Sequence, residues 1–268
     1  MLIDFLIQTG WITAGLVALI PVVLIAYRIT DKILQPPGVD LVIGLYTFIP
    51  WIVGYCLWDW SGVLASVLAE VLCLHIFCIA DRLVRGRPTR TIMQANHQLV
   101  GVLRNQLGLH ATLPAVPLFW AVRLGSFTVY PLVALFAKLP QYKHKEWVTI
   151  SRQKFEGLIG YDMVWCLYCD WMTGLWSLVT EQLRNVESFW CPIRFHADKK
   201  CENCVSSFPD LEEWTDHRAS TNEVVDLLKE KYEGRESNSW WGHKERCNSC
   251  PSSADPADSN HSEHQGSA

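Results

Sequence analysis

Long apolar runs without charge dominate the first 80 residues of the chain. Residues 5–27 and 41–58 contain no charged side chain, and residues 61–80 form a third run with a single acid. A helix of about 20 residues crosses the roughly 30 Å hydrocarbon layer of a bilayer. One such run could equally be a buried helix of a soluble protein, but three in succession favour the membrane. The pattern therefore predicts three transmembrane helices, which form a membrane anchor over residues 1–80.

The basic residues around these runs predict their orientation. Arg28 and Lys32 follow the first run, no Lys or Arg separates the second from the third, and four arginines lie within residues 82–90. An excess of Lys and Arg marks the cytoplasmic side of a membrane protein. No basic residue precedes Arg28, which argues against a cleavable signal peptide. We expect a protein of the cell (inner) membrane with its amino terminus outside and residue 82 inside.

Residues 81–140 combine a surface helix with a further hydrophobic segment. Residues 90–107 carry apolar side chains at helical spacing opposite polar ones, which predicts an amphipathic helix on the membrane surface. Residues 111–137 are apolar but contain three prolines and a central Arg123. Because both flanks of this segment are basic, both favour the cytoplasmic side. We predict a re-entrant or interfacial helical hairpin here, with a fourth full span as the alternative.

The rest of the chain predicts a membrane-proximal, mostly helical, cysteine-rich domain over residues 141–250. Apolar side chains at helical spacing indicate one long helix or two short ones over 151–185, and a short helix over 221–233. Residues 251–268 are too polar to build a core, so we expect a disordered tail. The predicted fold class is an all-α membrane protein with three transmembrane helices, an amphipathic or re-entrant segment and a small cysteine-rich domain.

Cysteines supply the strongest chemical signal. Seven of the ten lie in the second half of the chain, and six of these seven form three Cys-x-x-Cys pairs. Thiolates bind zinc in tetrahedral sets of four, and iron–sulfur clusters use the same number. The sequence therefore predicts a zinc site or an iron–sulfur cluster. Its candidate ligands are Cys166, Cys169, Cys191, Cys201 and Cys204.

Polar neighbours of the first pair extend the candidate set. On a helix, Asp162, Cys166, Cys169 and Thr173 share one narrow face, and a buried carboxylate needs a metal, a polar partner or water. Asp162 and the loop residue His196 are therefore additional candidate ligands. Two alternatives stay open: the face lies in solvent with both thiols as small core groups, or the pair is a thiol–disulfide motif. The second is disfavoured because no strand precedes Cys166.

Two ionisable residues fall within apolar segments. Glu70 lies near the middle of the third run and Arg123 near the middle of residues 111–137. An unpaired charge in hydrocarbon is costly, so such groups pair or line a polar cavity. We predict an intramembrane ion pair between Glu70 and Arg123 that docks the hairpin against the helices.

Several function classes are disfavoured. The net charge is −4 and the basic cluster directly follows an apolar run, which is the membrane pattern and not a nucleic-acid footprint. The chain contains no phosphate-binding GxxxxGK[ST] loop, no GxGxxG motif and no GxSxG motif. Enzymes that depend on these motifs are therefore set aside.

The expected function follows from the anchor and the thiols together. We expect a membrane-anchored metal-binding protein that passes electrons between a soluble protein partner and a component of the lipid bilayer. An alternative is a zinc-stabilised adaptor or assembly factor without catalysis. A third is an enzyme that acts on a lipophilic substrate. The sequence identifies neither the partner nor a substrate.

Overall fold

Nine α-helices account for most of the part of the chain that the structure describes. A computed structural model describes residues 2–86, 91–155, 157–193, 208, 210–216 and 218–246, and no β-strand occurs among these residues. The helices are α1 (Leu2–Ile29), α2 (Gly38–Tyr46), α3 (Phe48–Arg85), α4 (Ile92–Val100), α5 (Val102–His110), α6 (Val116–Ala137), α7 (His144–Trp147), α8 (Tyr161–Trp190) and α9 (Thr221–Tyr232). The all-α class predicted from the sequence is confirmed.

Three helical segments are long and apolar enough to cross a membrane. They are Leu2–Ile29, Phe48–Arg85 and Val102–Ala137. Most of their surface lies outside the core, since at most 28% of each apolar stretch is buried. Apolar side chains exposed in such numbers suit a lipid environment, because their contact with water would cost free energy. The fold therefore indicates an all-α membrane protein.

Helix α3 folds back on itself and so contains two antiparallel arms. The backbone leaves the helical region at Trp58 and Asp59, and the Ser66 hydroxyl donates a hydrogen bond of 2.7 Å to the Pro50 carbonyl oxygen. Sixteen residues of straight helix would separate those two groups by about 24 Å. Residues 48–57 and 60–85 are therefore separate arms. The reversal falls between the second and third apolar runs of the sequence.

Two glycines allow the arms to approach closely. A Cβ atom on Gly62 would overlap the carbonyl oxygen of Gly54, and one on Gly54 would lie 2.5 Å from the carbonyl oxygen of Gly62. Small residues at such contacts are how membrane helices bring their backbones together, because lipid provides no hydrophobic drive for association. The arms are thus held by backbone proximity and by the Ser66 hydrogen bond.

The segment after α3 differs from its prediction in detail. The single amphipathic helix expected over residues 90–107 is divided into α4 and α5 at Gly101, whose φ of +86° favours glycine. The hairpin expected within residues 111–137 is not internal to that range, because α6 runs as one helix from Val116 to Ala137. The short connection of residues 111–115 instead joins α5 to α6.

The chain divides into two compact units. Unit 1 contains residues 1–131 and 142–180, and unit 2 contains residues 132–141 and 181–268. The core of unit 1 gathers the buried side chains of Val39, Trp120, Val148, Trp171 and Leu175, which come from different helices and from the 148–150 segment. Helix α8 supplies the most deeply buried members of this core, although its composition is more polar than that of the three apolar segments.

Unit 2 is built around tryptophans and buried polar groups. Trp240 and Trp214 are buried, and so are Asn185, Ser188 and Asp210. Helix α9 begins at a capping box in which Ser220 and Glu223 exchange side-chain-to-backbone hydrogen bonds. Only part of the cysteine-rich region predicted over 141–250 is described here, and the predicted tail of 251–268 lies outside the described residues.

Candidate functional site

A buried ion pair lies at the centre of unit 1. The Arg123 guanidinium donates two hydrogen bonds to the Asp40 carboxylate, with Nε–Oδ1 at 2.9 Å and Nη2–Oδ2 at 2.6 Å. The Arg123 side chain is 0% exposed and the Asp40 side chain 9%. Trp171 Nε1 also donates to Asp40 Oδ1 at 3.0 Å. The bidentate geometry and the indole together satisfy both charges without water.

Arg123 does not pair with Glu70, the partner that the sequence predicted. Arg123 pairs with Asp40 of α2 rather than with Glu70, which lies on the second arm of α3 opposite the Trp51 indole. Asp40 directly precedes the second apolar run, so the apolar pattern gives no signal that this acid is buried. An arginine in hydrocarbon needs a counter-ion, and the fold supplies one from the end of a neighbouring helix.

Two aromatic side chains complete the surroundings of Arg123. The guanidinium lies over the Phe127 ring at 4.1 Å, and Phe127 stacks on His144 with ring centroids 4.6 Å apart. His144 Nδ1 lies 3.2 Å from Arg123 Nη1. Burial, and next the positive charge of Arg123, lower the pKa of His144. A neutral imidazole can then accept a hydrogen bond from the guanidinium at Nδ1.

The thiol pair lies on helix α8, as the sequence predicts. Cys166 and Cys169 are both partly exposed, and the Thr173 hydroxyl donates to the Cys169 carbonyl oxygen at 2.8 Å. The Cys169 thiol also lies 3.9 Å from the Thr173 hydroxyl. Both cysteines therefore occupy one accessible face of the helix, where a ligand or a partner can reach them.

A positive charge is held beside these thiols. The segment before α8 docks on Asp170, whose Oδ2 accepts hydrogen bonds from the backbone N–H groups of Ser151, at 2.6 Å, and Arg152, at 3.1 Å. The Arg152 guanidinium lies beside Cys169, whose proximity is the main cause that raises the pKa of Arg152, and Arg152 Nε lies 3.5 Å from Asp170 Oδ1. Burial raises the pKa of Cys166, while Arg152 opposes that shift. Arg152 therefore offsets part of the effect of burial on Cys166, whose pKa stays above its ordinary value.

Asp162 has a structural role in this fold. Its two carboxylate oxygens accept hydrogen bonds from the backbone N–H groups of Ile92, at 2.8 Å, and Met93, at 2.9 Å. These are the first two residues of α4, whose N–H groups have no partner within the helix. Asp162 is only 5% exposed. The carboxylate therefore caps α4 from outside, and the predicted polar stripe on α8 divides into a cap and a thiol pair.

The other predicted ligands are not brought together with this pair in the described residues. Cys191 is exposed and directly follows α8. Cys201, Cys204 and His196 lie outside the described residues. Among the residues that the structure describes, no group of three or more His, Cys, Asp or Glu side chains could hold a metal ion. The described part of the chain thus brings two candidate thiols together on α8, and any further ligands would come from elsewhere.

Sequence reasoning missed a second polar cluster in unit 1. Arg82 lies over the Tyr161 ring at 5.4 Å, and His75 stacks on His110 with ring centroids 5.9 Å apart. The four residues come from α3, α5 and α8, so their spacing in the sequence gave no signal. From the sequence, Arg82 is one of the four arginines that predict the cytoplasmic side.

No protein-family model, curated protein or solved structure matches this chain. The fold and the arrangement of its polar groups define the class, an all-α protein with helices suited to a membrane. The function has to be argued from the two thiols and the polar clusters themselves.

Proposed function

We propose that the protein holds a thiolate metal centre at the cytoplasmic surface of the membrane and passes electrons between a soluble partner and a membrane component. The observation that carries this proposal is the pair of accessible thiols on one face of α8, with the Arg152 guanidinium beside them. Two thiols are half of a four-thiolate set. Cys201 and Cys204 are the natural second half, because they form the next pair in the sequence.

The surroundings of the pair suit an electron-transfer site. Tyr168 stacks on Trp171 at 6.0 Å, and Trp165 lies edge-on to Tyr168 at 6.4 Å, so the same helical turns carry bulky aromatic rings. Apolar shielding and nearby charge are what tune the potential of a metal centre. An iron–sulfur cluster held there would supply one-electron transfer, whereas the chain itself supplies thiolates, shielding and the Arg152 cation.

Contact with the membrane helices supports the proposed position at the bilayer. Trp171 follows Cys169 by two residues and donates its indole hydrogen bond to Asp40 at the start of α2. The Asp162 carboxylate, four residues before Cys166 on α8, accepts a hydrogen bond from the first turn of α4. The thiol pair is therefore bracketed on α8 by two hydrogen-bonded contacts with elements of the membrane bundle.

The re-entrant path of residues 92–137 also belongs to this proposal. The segment starts against α8, where Ile92 contacts Asp162, and it returns at Arg123 to the Asp40 carboxylate that Trp171 binds. Asp162 and Trp171 are separated by about 14 Å along one helix. The chain between Ile92 and Arg123 therefore leaves and rejoins the same helix, which favours entry and exit on one side.

The middle of this segment reaches deeper than its ends. His110 stacks on His75, which is ten residues, or about 15 Å, from the end of α3. Trp120 Nε1 donates to the Thr47 hydroxyl at 2.9 Å, at the break between α2 and α3. Because both flanks of the segment are basic, we expect both ends on the cytoplasmic side, where the thiols of the cysteine-rich region stay reduced and available for metal.

Labelling with a membrane-impermeant thiol reagent tests this topology. In intact cells, an Asp59→Cys variant at the turn of α3 should label from outside, whereas the exposed Cys191 should label only after permeabilisation. Labelling of Cys191 from outside would mean that residues 111–137 cross the membrane. The thiol pairs would then face an oxidising compartment and become candidate disulfides.

Metal analysis of the full-length protein tests the function. The purified wild type should carry metal in stoichiometric amounts, with a visible absorbance band if it is an iron–sulfur cluster. The Cys166→Ser/Cys169→Ser double variant should lose this metal. The matched control is Cys56→Ser, which removes an exposed thiol from the first arm of α3. An unchanged metal content in the double variant would rule out the site.

A second candidate function is a zinc-stabilised adaptor. Helix α8 exposes large apolar side chains, with Trp176 at 48%, Leu183 at 53% and Trp190 at 54% exposure. Exposed apolar groups of this size mark docking surfaces for protein partners. A colourless protein with one zinc per chain would favour this function and exclude electron transfer at the site.

A further inference from the structure

A cavity of about 400 Å³ opens in unit 1 between the end of α3, the helices α4 and α5, and the start of α8. Its walls include Arg82, Gln94, His97, Gln106 and Tyr161. Neither the thiol pair nor the Arg123–Asp40 pair takes part in it. We propose that this cavity binds the phosphate group of an anionic lipid headgroup at the cytoplasmic surface of the membrane. The proposal is independent of the thiolate function.

The cavity contains a guanidinium that its neighbouring acid does not neutralise. Asp81 is committed elsewhere: it binds Arg85, with Nε–Oδ1 at 2.7 Å, and it accepts the Gly160 N–H at 2.7 Å. Arg82 lies over the Tyr161 ring, and no carboxylate pairs with it among the described residues. A half-buried arginine that is held by an aromatic ring presents a fixed fork of N–H groups, the geometry that a phosphate accepts.

The remaining polar walls are neutral donors and an imidazole. Gln106 Nε2 lies 3.4 Å from His97 Nε2, so the two side chains face each other across the helices α4 and α5. The Gln94 side chain caps the Thr91 backbone N–H with its oxygen, at 3.1 Å, which leaves its amide NH₂ group to donate. Among the described residues that line the cavity, none is acidic. A cation with several donors and no carboxylate selects an oxyanion over a metal or a cationic ligand.

The helix N-terminus beside the cavity is not the binding group. The first N–H groups of α4 are already taken by the Asp162 carboxylate. The ligand would therefore depend on the side chains of Arg82, Gln94, His97 and Gln106. This dependence makes the proposal testable by single substitutions.

The outer faces of α4 and α5 explain why a lipid is the expected source of the phosphate. Leu103 and Leu107 lie one turn apart on α5 and are 71% and 61% exposed, and Leu99 near the end of α4 is 80% exposed. Exposed leucines beside polar groups are the pattern of a helix in the membrane interface. A lipid could place its acyl chains along these leucines while its headgroup enters the cavity. A soluble phosphate compound would gain nothing from the leucines.

Binding should be measured on the full-length protein in neutral detergent, titrated with short-chain phosphatidic acid, with phosphatidylcholine and with inorganic phosphate. Native mass spectrometry would count the retained lipid, and thermal unfolding would report the stabilisation. We expect saturable binding of phosphatidic acid and no matching effect of inorganic phosphate. Equal stabilisation by inorganic phosphate at the same concentration would overturn the lipid assignment.

Two substitutions and one control locate the binding. Arg82→Gln should weaken phosphatidic acid binding by about tenfold to hundredfold, since hydrogen bonds to charged groups contribute about 1.5–3 kcal/mol. Gln106→Leu should weaken it by roughly fivefold without a change of charge. Arg104→Gln removes the same charge from an exposed position on α5 and should leave the affinity unchanged.

The outcomes separate specific binding from general attraction. Equal losses in Arg82→Gln and Arg104→Gln would mean that the lipid is attracted only by net charge, and would overturn the site. If Arg82→Gln disturbs the fold, as near-ultraviolet circular dichroism would show, Gln106→Leu decides the question. Unchanged affinity in a folded Gln106→Leu variant would also overturn the proposal.

Discussion

The two units of this protein bury polar groups in different ways. In unit 1, Arg123 is neutralised by a full counter-charge, Asp40, at the centre of the helices. In unit 2, the buried Asn185 instead binds backbone groups: its amide donates to the Glu181 carbonyl oxygen at 2.9 Å and its oxygen accepts the Trp240 N–H at 2.9 Å. Unit 1 thus pairs its buried arginine with a counter-charge, whereas the buried Asn185 of unit 2 binds backbone groups.

Acids in the two units show the same contrast. Asp40 receives two guanidinium hydrogen bonds and one indole hydrogen bond. Asp210 of unit 2 accepts from the Ser188 hydroxyl at 3.1 Å, and burial raises the pKa of Asp210. Burial favours the neutral form of a carboxyl group, whereas a neighbouring guanidinium favours the charged form. An arginine cannot become neutral, so its presence in the membrane bundle demands an ionised partner.

Helix contacts differ as well. The arms of α3 meet at Gly54 and Gly62, where the backbones touch. In unit 2, large rings pack together, for example Phe189, which lies edge-on to Tyr232 at 5.1 Å. Small residues let helix backbones approach closely, whereas aromatic side chains supply buried area. The comparison can be tested by substitutions in each unit.

The largest effect is expected from Asp40→Ala in unit 1. The substitution leaves the 0% exposed Arg123 with a buried, uncompensated charge, and such losses cost about 3–5 kcal/mol. Thermal and denaturant unfolding in detergent would measure the change. The control is Glu146→Ala, which breaks the exposed Lys143–Glu146 pair and should cost less than about 1 kcal/mol. Similar losses in both variants would contradict the central role of the buried pair.

A second effect, of about 1–3 kcal/mol, is expected from Gly62→Ala. The added methyl group would overlap the Gly54 carbonyl oxygen, and a backbone neighbour can only move with the helix. Gly125→Ala on α6 is the matched control, because its Cβ would meet no atom within 4 Å. That control should be neutral or slightly stabilising. If Gly62→Ala were also neutral, α3 would not be folded at Trp58 and Asp59.

The corresponding test in unit 2 is Trp240→Phe, with an expected cost of about 1–2 kcal/mol. The substitution removes the 2.6 Å hydrogen bond from Trp240 Nε1 to Glu181 Oε1, but Arg184 still neutralises Glu181 at 2.9 Å. The loss should therefore be smaller than that of Asp40→Ala. Trp190→Phe, at a 54% exposed position, is the control and should change stability little. A Trp240→Phe loss as large as that of Asp40→Ala would remove the distinction between the units.

The smallest effect concerns pH and involves one histidine in each unit. Burial lowers the pKa of both His144 and His243 below the ordinary value of 6.5. Because the unfolded chain then binds a proton more readily, their contribution is fully present above pH 6.5 and is lost as the pH falls towards the lower folded pKa. Each histidine can add a slope of at most about 1.4 kcal/mol per pH unit.

Substitution separates the two histidines. His144→Phe and His243→Phe should each reduce the acid sensitivity of unfolding between pH 6.5 and pH 5, measured against the wild type. His144 faces Arg123 as well as a buried environment, so its substitution should have the larger effect. An unchanged pH profile in both variants would show that these imidazoles titrate normally.

Much of unit 1 could be predicted from hydrophobic periodicity. The apolar runs of the first 80 residues predict α1 and the arms of α3, because uncharged stretches of this length suit the hydrocarbon layer of a bilayer, although the second run is divided between α2 and the first arm of α3. The orientation that the basic residues predict stays a prediction. The Cys-x-x-Cys spacing on α8 also follows from the sequence, since a helix places residues three apart on one face. These features depend on local composition alone.

Only the tertiary structure decided which charged groups meet. Asp40 rather than Glu70 pairs with Arg123. The first turn of α2 carries Asp40, which lies just outside the apolar run, and packing of α2 against α6 places this acid beside the arginine. Asp162 caps α4 rather than joining the thiols, since the first N–H groups of that helix need a partner. Arg82 and His97 meet at one cavity for the same reason: their helices pack together. Local sequence determines which segments are helices and which faces are polar, whereas long-range packing determines the partner of each buried charge.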